Sequence, residues 1–138
     1  MIPEDQITAA KIADVFEQAY MEVSERSETR FSVKGLTFPF LLGVRVDQER
    51  KAIRFADYNR LHRITSEGAA LLCNSANSQY LLARFYSFVH EDAIMVTAEY
   101  DMSFEKGVIP FHIISNFRLF ERIAGSAVRD LFKEHIRP

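Results

Sequence analysis

A chain of 138 residues, 48% hydrophobic and carrying twelve Phe, has the length and apolar content for one ordinary domain with a real core. Its formal charge of −2 argues against gripping a nucleic-acid backbone by charge, because that affinity comes from neutralising phosphates. The lone cysteine, Cys73, excludes an intramolecular disulfide, the acidic start Met1-Ile2-Pro3-Glu4-Asp5 lacks the apolar run of a signal peptide, and no apolar stretch approaches the roughly 20 residues that span a bilayer, so a soluble, cytoplasmic protein is expected.

Residues 4 to 23 read as a helix. Glu4 and Asp5 suit the positive end of its dipole. Ile12, Val15, Phe16, Ala19, Tyr20 and Val23 then fall on one helical face. Ser24 to Glu28 is polar and reads as the exit loop. Phe31 and Val33 alternate with Ser32 and Lys34, and Gly35 allows a turn. Leu36, Phe38, Phe40, Leu42, Val44 and Val46 alternate over a run long enough to predict a strand. Pro39 cannot donate a ladder hydrogen bond, which places that strand at an edge or bulges it. Asp47 to Arg50 is a polar turn, and Ile53 and Phe55 mark a third strand of a meander.

Thr65 or Ser66 can cap a second helix, whose short apolar face is Ala69, Leu72, Cys73 and Ala76 and whose end is marked by Asn74, Asn77 and Ser78. Tyr80 to Val89 reads as a strand. His90-Glu91-Asp92 turns it into another strand, in which Ile94, Val96, Ala98, Tyr100 and Met102 face one way. Met95, Thr97, Glu99 and Asp101 face the other, which predicts a half-buried strand with a wet face. After Lys106-Gly107, Pro110 suits a first helical position. Ile113, Phe117, Phe120, Ala124, Ala127 and Leu131, spaced by four and three, form one long stripe. The expected order is α-β-β-β-α-β-β-α. This is an α+β fold with a five-stranded antiparallel sheet and the helices on one face, in one domain spanning residues 1–138.

That order resembles the YbjN-domain family. The features that carry the resemblance are the meander, a short helix ending in Leu71-Leu72-Cys73-Asn74-Ser75-Ala76-Asn77, a hairpin turning at Asp92, and the long closing helix. It covers nearly the whole chain. The family is described as proposed bacterial regulators of sensory transduction, with a fold similar to type III secretion chaperones. The resemblance implies a small binding or chaperone-like module able to dimerise, and it brings no catalytic residues.

The residues offer little chemistry. His62, His90, His112 and His135 show no metal-ligand spacing, no second Cys joins Cys73, and His90-Glu91-Asp92 is explained as a polar turn. There is no Gly-x-Ser-x-Gly, and Ser87 or Ser103 with the scattered His residues is no evidence for a triad. Cys73 on an apolar helix face reads as an inert small hydrophobe. Glu99 and Asp101 share a strand face, which permits paired-carboxylate chemistry but reads first as a solvated face. The five glycines form no phosphate loop, so no cofactor is expected. Arg50, Lys51, Arg54, Arg60 and Arg63 cluster around Tyr58 and His62. They could attract an acidic partner or single-stranded nucleic acid, and read first as a solvated edge that blocks aggregation. Asn74 and Asn77 read as helix terminators.

Two apolar features remain. Leu41 joins Phe38, Phe40 and Leu42 to make a strand apolar on both faces, and Ala124-Gly125-Ser126-Ala127 is a small-residue patch in the closing helix. A mid-helix Gly costs about 1 kcal/mol relative to Ala, which close packing on the sheet or on a second subunit offsets. The expected function is therefore a non-enzymatic module that binds a protein or peptide partner, or a second copy of itself. Its candidate surface is Phe38, Phe40, Leu41, Ala124, Gly125 and Ala127, with no metal, nucleic acid or membrane involved. The alternative is a small-ligand sensor or enzyme with a pocket on the open sheet face.

Overall fold

The computed structural model describes residues 1–37 and 40–136. Helix α1 (Ala9–Gln18) starts where the Thr8 side chain accepts a hydrogen bond from the Lys11 N–H at 3.1 Å. It is shorter than the expected 4–23. Glu4–Gln6 forms a separate 3-10 turn, and α1 ends with Tyr20 in the left-handed region (φ 63). There the Met21 N–H reaches the Phe16 carbonyl and the Tyr20 N–H reaches that of Glu17, a Schellman-type closure. Tyr20, expected on the buried face, is exposed, and Val23 belongs to a strand instead.

The strands are β1 (Val23–Ser24), β2 (Arg30–Lys34), β3 (Leu41–Asp47), β4 (Ala52–Leu61), β5 (Arg84–His90) and β6 (Ala93–Ser103), forming one sheet in the order β1-β2-β3-β4-β6-β5. The mixed α+β class is as expected. The strand count is six rather than five, because the segment read as an exit loop contributes β1, which pairs Val23 with Val33. Nor does the long second strand begin at Leu36: β3 starts at Leu41. Phe38 and Pro39, with the bulge expected at Pro39, lie outside the described residues. Helix α2 (Ser66–Gln79) is capped by Thr65, whose side chain accepts from the Gly68 N–H at 3.0 Å. It runs past Asn74 and Asn77, which therefore do not end it. Glu91 and Asp92, both at positive φ (48 and 64), form the two-residue turn between β5 and β6, as two-residue hairpin loops require. The last helix, α3 (Pro110–Ala127), continues through a π-helical turn, Val128–Phe132, into a final turn, Lys133–Ile136.

The chain divides into two compact units, Met1–Phe55 with Asp101–Glu121 and Ala56–Tyr100 with Arg122–Pro138. The core of the first is aromatic. The Phe117 ring lies 4.9 Å from Phe16 and 5.3 Å from Phe55, both edge-to-face, and Phe16 meets Phe31 at 5.7 Å. Ile12, Val33, Ile53 and Ile113 complete it, all fully buried. In the second unit Ala69, Cys73 and Ala76 of α2 are buried, as are Phe85, Val96 and Ala98 of the β5–β6 hairpin. The expected stripe of the closing helix holds as far as Ala127. The π turn then adds a residue, so Phe132 is buried and Leu131 is only half-buried.

The wet face expected of β6 is corrected. Thr97 and Glu99 are buried, and Arg84, directly opposite Glu99 on β5, donates to its carboxylate at 3.2 and 3.3 Å. A buried carboxylate is tolerated when a cation both neutralises and hydrogen-bonds it. The solvated reading of Glu99 and Asp101 holds for Asp101, which is exposed and bound to Arg54 at 2.8 and 3.1 Å, but not for the buried Glu99.

Candidate functional site

An exposed apolar stretch of the first unit is the loop entering β3. Leu36 is 58% exposed and Leu41 54%, while Phe40 is half-buried. Phe38, the remaining aromatic of this candidate set, lies outside the described residues. Period two persists in sequence through Leu36 and Phe40, yet Leu36 and Thr37 are not in a strand, because their backbone N–H groups bond elsewhere. The buried carboxylate of Glu121 accepts the Leu36 N–H at 2.8 Å and the Thr37 N–H at 2.6 Å. The Gly35 N–H closes the loop on the Phe40 carbonyl at 2.9 Å. Charge-assisted bonds of this kind are about twice as strong as neutral ones. The exposed Leu36 side chain is thus mounted on a backbone whose N–H is already held, which leaves less entropy to lose on binding.

Sequence reasoning missed both Leu36 as a loop residue and Glu121 as its anchor. A signal was present. Glu121 sits four residues after Phe117, beside the apolar stripe, and an acid on the edge of a buried face needs donors.

The small-residue patch is placed differently. Ala124, Gly125 and Ala127 are buried within the second unit, Ala124 against a small cavity shared with Phe85, Val96 and Ala98. They are buried and offer no exposed surface.

The same cavity holds Asp57, which is 5% exposed and whose carboxylate accepts a hydrogen bond from the Asn59 amide at 3.1 Å. Burial pushes its carboxyl up to about 6, partly opposed by the Asn59 hydrogen bond. With a volume of about 10 Å³ the cavity is too small for a substrate, so Asp57 is a buried acid without room for chemistry. Burial likewise raises the Cys73 thiol, keeping it protonated and inert.

Asn77 does more than the sequence suggested. Its amide nitrogen donates to the Phe85 carbonyl at 2.9 Å and its oxygen accepts the Phe85 N–H at 2.7 Å. The side chain thus stands in for a neighbouring strand on β5, the last strand of the sheet. The basic cluster is dispersed. Lys51 pairs with Glu4, Arg54 with Asp101, and Arg63 donates to the Glu134 carbonyl, while Arg50 and Arg60 are exposed. Among the described residues no group of three or more His, Cys, Asp or Glu is placed to hold a metal ion, and no helix is long and apolar enough to cross a membrane.

Neither a protein-family model nor a curated protein matches this chain. Among solved structures it is similar to YbjN from E. coli, a proposed transcription regulator, with a TM-score of 0.79. The match covers 94% of this chain and 95% of that one at 11% sequence identity, which establishes a shared fold and nothing finer. The YbjN fold implied by the resemblance in sequence is therefore the fold observed, with element order and strand count differing in detail.

Proposed function

We propose that the chain is a non-enzymatic regulatory module of the YbjN type. It recognises a protein or peptide partner through the apolar loop entering β3. One observation carries this reading: Leu36 and Leu41 are both exposed, and the backbone at Leu36 and Thr37 is held by the buried Glu121 carboxylate. Exposed apolar side chains on a preorganised backbone are what a hot spot needs, because little ordering entropy is left to lose. The likeness to a proposed regulator over 94% of the chain supports the family; one domain over residues 1–138 and a cytoplasmic setting are further parts of the proposal. A second copy of the chain is the simplest occupant of the loop, which makes a homodimer part of the proposal.

Light scattering over a range of concentrations tests self-association. Wild type should show a dimer, and Leu41→Glu, which places a charge in the contact, should show only monomer. Affinity capture with the same two proteins extends the test to other partners. A strictly monomeric wild type, together with an identical captured set for both proteins, overturns the reading.

A further inference from the structure

The open face of the first unit carries a second, chemically different site. A cleft of about 320 Å³ is lined by Arg45, Arg50 and Arg54 and by Asp47, Glu49 and Asp101. The volume is at the lower end of ligand pockets, which start at about 300 Å³. Its charges are not equally committed. Asp101 is held by Arg54 through two hydrogen bonds, and the Asp47 Oδ1 accepts the Arg50 N–H of the β3–β4 turn at 3.0 Å. Glu49 is left as the uncommitted acid. Against it stand the Arg45 and Arg50 guanidiniums, both exposed and without an ion pair among the described residues. Arg30 adds a third. It is the register partner of Arg45 across β2 and β3, so two like charges stand directly opposite each other on the same sheet face. Such a pair is destabilising unless an anion lies between or beside it.

We propose that this cleft binds a small oxyanion of two or more negative charges, bearing phosphate or carboxylate groups. Arg45 and Arg50 are its direct ligands, Arg30 supplies field, and Arg54, fixed by Asp101, forms the wall. Guanidinium forks match both oxyanion types bidentately, so the geometry selects charge and planar acceptor pairs rather than a particular molecule. The inference is independent of the partner-binding loop.

The test is calorimetric titration of the full chain with pyrophosphate and, separately, with citrate, at constant ionic strength and against chloride. The expected result is saturable one-to-one binding of at least one of them, with the two titrations showing which group is preferred. Arg45→Gln and Arg50→Gln should each weaken it at least about tenfold, the loss expected for one charge-assisted hydrogen bond. Arg118→Gln, on an exposed stretch of α3, should leave it unchanged. Without anion, Arg45→Gln should unfold at the same temperature as wild type or higher, because it relieves the Arg30–Arg45 repulsion. Absence of saturable binding to both anions, or binding equally strong in Arg45→Gln and Arg50→Gln, overturns the proposal.

Discussion

Asp57 gives the fold a calculable pH dependence. Its carboxyl is buried in an apolar cavity with one amide partner, and its value is raised from 3.8 to about 6. A raised acid holds its proton more tightly folded than unfolded. Its contribution to stability is therefore fully present below about pH 4 and is lost as pH rises through about 6. At about 1.4 kcal/mol per unit, the shift makes the folded state weaker by about 3 kcal/mol at pH 8 than at pH 4, from this group alone. Asp57→Asn keeps shape and an acceptor for Asn59 but cannot ionise. Urea unfolding followed by circular dichroism, at pH 4 to 8, isolates the effect as variant minus wild type, since distant titrations cancel. The two proteins should match at pH 4 within about 1 kcal/mol, which is what one neutral hydrogen bond is worth. At pH 8 the variant should be more stable by up to about 3 kcal/mol. That moves the midpoint by about 1–3 M if the slope is near 1–3 kcal/mol per M. A difference independent of pH, or a variant weaker than wild type at pH 8, would refute the argument from burial.

Three further substitutions follow from the packing and the hydrogen bonds. Glu121→Ala strips two acceptor bonds from the β3 loop and should cost about 2–4 kcal/mol, with amide exchange at Leu36 and Thr37 accelerating more than elsewhere; unchanged exchange there would contradict the anchoring role. Phe117→Ala empties the centre of the aromatic core and should cost about 3–5 kcal/mol in chemical unfolding. Asn77→Ala leaves the Phe85 N–H and carbonyl without the side chain that stands in for a strand. It should lose about 1–3 kcal/mol and aggregate at lower concentration in a turbidity assay.

Much of the architecture was legible because it rests on local rules. Thr65 capped α2, the period of Ile113 to Ala127 marked the buried stripe, and His90 to Asp92 marked a hairpin. The misreadings share a physical cause: a distant group overrode the local pattern. Leu36 to Phe40 alternate like a strand, but Glu121, far along the chain, takes the backbone donors of Leu36 and Thr37. Thr97 and Glu99 look solvent-facing until Arg84 arrives from the neighbouring strand. Asn77 looks like a helix terminator because its partner, the backbone of Phe85, leaves no mark in sequence. The π turn moves the buried position from Leu131 to Phe132, a shift that a fixed helical period does not contain. Of the candidate surface, Leu41 was legible as an apolar residue with no inward role. Ala124, Gly125 and Ala127 proved to be interior residues, which small size alone did not reveal.

The central claim is that the loop entering β3 meets a protein. Site-specific photo-crosslinking tests it most directly. A photoreactive side chain at Leu36 or Leu41 is compared with one at Leu71, which is 66% exposed and lies on α2. A discrete crosslinked species, to a second copy or to one partner, is expected from positions 36 and 41 but not from 71, and should be lost when Glu121→Ala frees the loop. Crosslinks equally strong from all three positions, or none from 36 and 41, would contradict it.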